Sequence, residues 1–179
     1  MNNEDKILKV VFENPYDEFH MRLLARMTKL HPNTVINITD SLAKKGYVIK
    51  KKDKQKNMVL VKANNKNWFY KVKKQYFNIK KIYSSGLIDF LNEKLDYPAI
   101  ILFGSYAKAE NHKGSDIDLF IVTSTKKRID LSNYEKKLGA EIQLFVHTRK
   151  EFKKLIKTNP ELINNVINGY KLSGFLEIA

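Results

Sequence analysis

The sequence predicts an α+β protein in two parts, and three observations predict it. Residues 4–46 carry apolar positions three and four apart, and a basic β-hairpin pattern follows them. From residue 98 on, two short β-branched runs, "PAIILFGS" and "DIDLFIVT", read as buried strands set among helical stretches. Of 179 residues, 43% are hydrophobic and 29% charged, with 7 Gly and 4 Pro, enough apolar side chain for a core and no low-complexity bias.

The elements follow in chain order. "NEDKILKVVFEN" sets Ile7, Leu8, Val10, Val11 and Phe12 in a helical pattern that closes near Asn14 and Pro15. "FHMRLLARMTKL" gives a second helix with Met21, Leu24, Ala25 and Leu30 inward. "HPNTVINITDSLAKKGYV" gives a third, with Pro32 in its first turn and Gly46 just past its end. Val35, Ile38 and Leu42 then face the core, while Asn33, Thr34, Ile36, Asn37, Asp40, Ser41 and Lys44 face outward. Tyr47–Ile49 and Met58–Val61 read as strands, joined by the polar, basic "KKKDKQKN".

Three helices and a basic hairpin over about residues 4–63 resemble the winged helix-turn-helix of bacterial and archaeal regulators. The resemblance implies a DNA-binding domain over residues 1–66. Its third helix would enter the major groove of double-stranded DNA, with Asn33, Thr34 and Asn37 at base edges. Lys44, Lys45, Lys50, Lys51, Lys52, Lys54 and Lys56 would meet phosphates. The same pattern also suits a protein-contact or dimerisation module whose lysines are merely solvated. Charge is densest here: the chain carries a net +14, and residues 1–66 hold 14 Lys and Arg against 7 Asp and Glu.

"NKNWFYKVKKQYFNIKKIYSS" spaces Trp68, Phe69, Val72, Tyr76, Ile79 and Tyr83 as one long amphipathic helix. Its aromatic stripe reads as core or a homodimer seam, with base stacking as the other use. "LIDFLNEKLDYP" is a shorter helix ended by Pro98. The second domain is expected over residues 67–179.

The chemistry concentrates in Ile100 to Val122, "IILFGSYAKAENHKGSDIDLFIV". A buried strand runs into Gly104-Ser105 and a helical turn, where Gly allows close backbone approach and free amides suit phosphate. On the next strand, period two puts Asp116 and Asp118 on one face and Ile117 and Leu119 on the other. Two adjacent carboxylates repel, a cost that a divalent metal removes.

Gly104-Ser105, ten intervening residues, then Asp116-x-Asp118, each attached to an apolar strand, resemble the nucleotidyltransferase superfamily that includes DNA polymerase β. The closer likeness is to its minimal nucleotidyltransferase (MNT) branch, over roughly residues 68–179, which implies a nucleotidyltransferase fold with a short mixed sheet flanked by helices. The resemblance implies Mg²⁺ on Asp116 and Asp118, with ATP or another nucleoside triphosphate at Gly104 and Ser105. It also implies a third carboxylate on a later strand, here "GAEIQLFV". The position expected for it holds Gln143, a departure, since Gln is neither a base nor a good metal ligand. Glu141, one strand step of about 6.6 Å away on the same face, is the substitute candidate as third catalytic carboxylate.

Further helices are expected in "LSNYEKKL", "RKEFKKLI" and "NPELINNVINGYKL", the last with Asn159 as N-cap and Pro160 at its first position. The chain has no Cys, which excludes disulfides and thiolate metal sites. It has no apolar run of about 18 residues, and its N-terminus does not read as a signal peptide. The expected setting is the cytoplasm, away from membranes. MNT proteins often serve as antitoxins that adenylylate a partner toxin, commonly of the HEPN type, so the resemblance implies a protein acceptor. The alternative is a transcriptional regulator whose nucleotidyltransferase domain binds nucleotide with weak or no turnover.

Overall fold

The computed structural model describes residues 1–53 and 58–177. Lys54 and Lys56 lie outside the described residues. The chain divides into two compact units, Met1–Lys74 and Gln75–Ala179.

The first unit opens with α1 (Asn3–Glu13), capped by Asn2, whose Oδ1 accepts from the Asp5 amide at 2.7 Å. Then come β1 (Glu18–His20), α2 (Met21–Thr28), α3 (Pro32–Lys44), β2 (Val48–Asp53) and β3 (Met58–Ala63). The sheet order is β1-β3-β2, antiparallel throughout. β1 was not expected from the sequence. It is three residues long, and only Phe19 of the three is buried, so no alternation marks it. Ile7, Leu8, Val11, Leu24, Val35, Leu42 and Val61 are fully buried and form the centre of this unit. On α3, the fully buried third position is Thr39 rather than Ile38, and its hydroxyl donates to the Ile36 carbonyl at 3.0 Å.

The division between units falls inside α4 (Trp68–Ser84), past the boundary expected after residue 66. Tyr70, in the first unit, is buried against Phe12 with ring centroids 5.2 Å apart. Burial and the charge of Tyr16 push its phenol pKa up. Trp68, Phe69, Val72, Tyr76 and Tyr83 of the aromatic stripe are exposed.

The second unit continues with α5 (Leu87–Leu95), β4 (Ala99–Phe103), the single turn α6 (Gly104–Ala107), β5 (Ile117–Val122), α7 (Ser132–Leu138), β6 (Ile142–His147), α8 (Arg149–Thr158), α9 (Pro160–Ile167) and β7 (Tyr170–Ser173). Its sheet has the order β6-β5-β4-β7, with β5 and β6 parallel and the other pairs antiparallel. The sheet is therefore mixed. β7 is a second unexpected strand: four residues, of which Leu172 alone is buried.

Both faces of this sheet are covered, which is why β4 is buried at all five positions. Ile100, Leu102, Ile117, Leu119, Ile121 and Ile142 pack with Ile82, Leu91 and Leu138 on one face. Ala99, Ile101, Phe103, Phe120 and Val122 pack with Phe152, Ile163 and Val166 on the other. A strand buried on both sides reads as a continuous apolar run rather than an alternation. Asn159 caps α9 as expected, accepting from the Leu162 amide at 3.1 Å. Among the described residues, no helix is long and apolar enough to cross a membrane.

Candidate functional site

The second sheet brings the motif residues to one end. Phe103, the last residue of β4, stands opposite Asp118, and Asp118 stands opposite Gln143 on β6. Asp116 directly precedes β5, and Asp118 is its second residue. The end of one strand and the starts of two others thus place Gly104, Asp116, Asp118 and Gln143 together.

Gly104 is what lets them approach. Its φ is +68°, and a Cβ added there would lie 2.2 Å from Asp118 Oδ2. The Asp118 carboxylate is therefore seated against bare backbone at the turn. Behind it lies an aromatic wall: Phe103 meets Phe145 at 5.3 Å and Phe120 at 6.4 Å between centroids. Asp118 feels both surroundings. Burial first, and the negative charge of Asp116 second, push its carboxyl pKa up from the ordinary value. Neither Asp116 nor Asp118 has an ion pair among the described residues.

Gln143 occupies the position at which the resemblance implies a third carboxylate. Its Nε2 donates to Asp116 Oδ2 at 2.6 Å. Glu141 lies just before β6 and is exposed, and its carbonyl accepts from the Ile117 amide at 2.8 Å. Among the described residues, no cluster of three or more His, Cys, Asp or Glu suited to a metal forms. Asp116 and Asp118 are therefore a two-carboxylate site with an amide beside it. A half-buried pair of like charges without a cation partner fits a hard divalent ion such as Mg²⁺, whose ligands are oxygens.

The Gly-Ser turn is held from behind by residues the sequence pattern did not single out. Asn78 Nδ2 donates to the Tyr106 carbonyl at 3.0 Å and to Asn111 Oδ1 at 2.8 Å. Gln75 Nε2 donates to the Ala107 carbonyl at 2.6 Å. Asn78 and Asn111 are both buried, 3% and 5% exposed, so their amides are committed to this clamp. The backbone carbonyl of Ser105 accepts from the Glu110 and Asn111 amides, which closes the loop. The Ser105 hydroxyl has no partner among the described residues.

On the first unit, Asn33, Asn37 and Lys44 are exposed on α3 and Thr34 is half-buried. Lys51 and Lys52 are exposed on β2. Two other lysines of the set are ion-paired: Lys45 with Glu4 at 2.8 Å and Lys50 with Asp40 at 2.5 Å.

No curated protein matches the chain. Residues 85–172 match the family model described as Polymerase beta, Nucleotidyltransferase. The matched segment contains Gly104, Ser105, Asp116, Asp118 and Gln143, and the match supports a nucleotidyltransferase domain of the polymerase β-like superfamily in the second unit.

Proposed function

We propose that the chain is a Mg²⁺-dependent nucleotidyltransferase that moves a nucleoside monophosphate, AMP as the leading case, onto a hydroxyl acceptor. One observation carries this reading: Asp116 and Asp118, neither of which has an ion pair among the described residues, come together at the sheet end that carries the Gly104–Ser105 turn, with Asp118 against the Gly104 backbone. Asp116 and Asp118 would hold the metal, which supplies Lewis-acid stabilisation of charge on the phosphoryl oxygens. The Ser105 hydroxyl and the turn's backbone would receive phosphate oxygens. The acceptor in this reading is a partner protein such as a HEPN-type toxin, and the chain is antitoxin-like.

The test is incubation of the purified chain with Mg²⁺ and α-³²P-labelled ATP, GTP, CTP or UTP, with and without lysate of its source. Label on a protein, lost in Asp116→Asn, is the expected result. Equal labelling by Asp116→Asn would remove the metal assignment. The Gln143 to Asp116 hydrogen bond favours a second reading, a regulator that binds nucleotide with little turnover. Nucleotide binding by calorimetry with no label transferred would select it.

The first unit fits a winged helix-turn-helix that binds double-stranded DNA, with α3 in the major groove. Its strand order, with β2 and β3 as a hairpin and exposed Lys51 and Lys52, supports that reading. Lys45 and Lys50, held by Glu4 and Asp40, are weaker phosphate candidates than Lys44, Lys51 and Lys52. Replacing Lys51 and Lys52 with Ala should lower the slope of log affinity against log salt by about 0.9 for each lost phosphate contact. An unchanged slope would mean that this hairpin does not touch DNA.

A further inference from the structure

We propose that a cleft at the far end of the β4–β5 pair, away from Asp116 and Asp118, binds a free nucleoside phosphate whose base carries an amino group. The ladder fixes the separation. Phe103 pairs with Asp118 at one end and Ala99 with Val122 at the other, several steps of about 3.4 Å apart along β4. The cleft measures about 500 Å³. It is lined by the α5–β4 turn, the end of β5, the first turns of α8 and the segment after β7, all within the second unit. That volume is in the range of small-ligand pockets.

Its charges indicate the ligand. Arg149 and Lys153 line the cleft from α8, Asp96 from the turn and Glu177 from the segment after β7. All four are exposed, and none is ion-paired among the described residues. Cations and carboxylates that share a cleft without pairing suit a ligand with an anionic group for the first and N–H donors for the second. A guanidinium and an ammonium match phosphate, and a carboxylate accepts from the amino group of a base. Two rings complete the set. Tyr97 and Phe175 line the same cleft and are 74% and 73% exposed, open to stacking on a base. Phe152, which also lines it, is buried in the core and anchors α8 there.

Tyr97 keeps its exposure on strained backbone. Asp96 and Tyr97 both have positive φ, 57° and 49°. Tyr97 also precedes Pro98, which disfavours helical backbone at that position. The Tyr97 amide donates to the Asn92 carbonyl at 2.8 Å, and the Thr123 hydroxyl donates to the Leu95 carbonyl at 2.8 Å. The turn is thus tied to α5 and to the end of β5, so the ring stands ready for a ligand before one arrives.

The test is a two-dimensional ¹H–¹⁵N NMR titration of the full chain with AMP in EDTA, which keeps divalent ions from Asp116 and Asp118. The largest saturable shifts should fall at Tyr97, Ser124, Arg149, Lys153 and Phe175 rather than between Gly104 and Asp118. Arg149→Gln and Tyr97→Ala should each weaken AMP about tenfold, the scale of one charge-assisted hydrogen bond or one stacked base. Purine riboside 5′-monophosphate, which lacks the amino group, should bind about tenfold more weakly than AMP, and inorganic phosphate more weakly still. Both replaced side chains are exposed, so the variants should fold, and their spectra check this. Shifts confined to Gly104–Asp118, or variants that bind AMP like the wild type, would overturn the cleft as a site. Phosphate or the purine analogue binding as well as AMP would overturn the amino-bearing nucleotide as its ligand. An eight-residue oligo(dA) that binds about a hundredfold more tightly than AMP would overturn the free nucleotide in favour of a single strand. Each failure leaves the transfer reading standing, because labelling by Asp116→Asn tests that separately.

Discussion

Asp118→Asn should raise the melting temperature of the metal-free protein and abolish the further rise that Mg²⁺ with nucleotide brings. The two effects have one cause. Burial and the charge of Asp116 both disfavour the Asp118 carboxylate in the folded chain, so its pKa is raised on folding. A carboxyl with a raised pKa favours the fold most when protonated, and that advantage is lost as pH rises through the raised value. The ionised Asp118 carboxylate is therefore an unfavourable charge in the fold that a neutral Asn does not carry. The charge is what a divalent ion would neutralise. At a hundredfold excess over its dissociation constant, a ligand adds about 2.7 kcal/mol of stability, and the variant should lose that gain. Label transfer should fall on the order of 10²- to 10³-fold, the scale of several kcal/mol of metal-borne charge stabilisation. Differential scanning fluorimetry with and without Mg²⁺ and nucleotide reads both stability effects. An Asn variant that melts lower and still responds fully to Mg²⁺ would sink the assignment.

Gly104→Ala should be the most damaging single-methyl change at the site. The φ of +68° alone costs an L-residue about 1–2 kcal/mol. The added Cβ would also lie 2.2 Å from Asp118 Oδ2, so the carboxylate must move. Nucleotide and metal binding should weaken with it. The clash and the backbone strain can be separated by a double-mutant cycle. In an Asp118→Ala background the carboxylate is gone and only the strain remains, so Gly104→Ala should cost less there, by about 1 kcal/mol. Additive costs in chemical denaturation would mean that Gly104 and Asp118 do not meet as described.

Legibility in the sequence followed the length and periodicity of each element. β4 and β5 announced themselves because burial on both faces makes them continuous apolar runs, interrupted only by Asp116 and Asp118 at one end. β1 and β7 did not, because each contributes one buried residue, Phe19 and Leu172, and owes its strand form to a partner distant in sequence. The Gly-Ser and Asp-x-Asp spacing located the candidate site, and Gln143 stood out as the wrong residue type for its place. That its amide bonds to Asp116 was beyond reach, since side-chain direction across a parallel ladder depends on register. The Asn78–Asn111 clamp was equally hidden. Two amides 33 residues apart carry no periodic signal, and only the folded chain shows them paired.

The strand order β6-β5-β4-β7 also sets a timetable for the chain's synthesis. β4 lies between β5 and β7, and β7 spans Tyr170–Ser173, close to the C-terminal end of the described residues. Until those residues leave the ribosome, the outer edge of β4 has no partner. Contacts that close such long loops form slowly, and an open strand edge invites pairing with other chains. A nascent chain stopped before residue 170 should therefore be unable to complete the sheet that seats Asp118 on Gly104, however complete its motif.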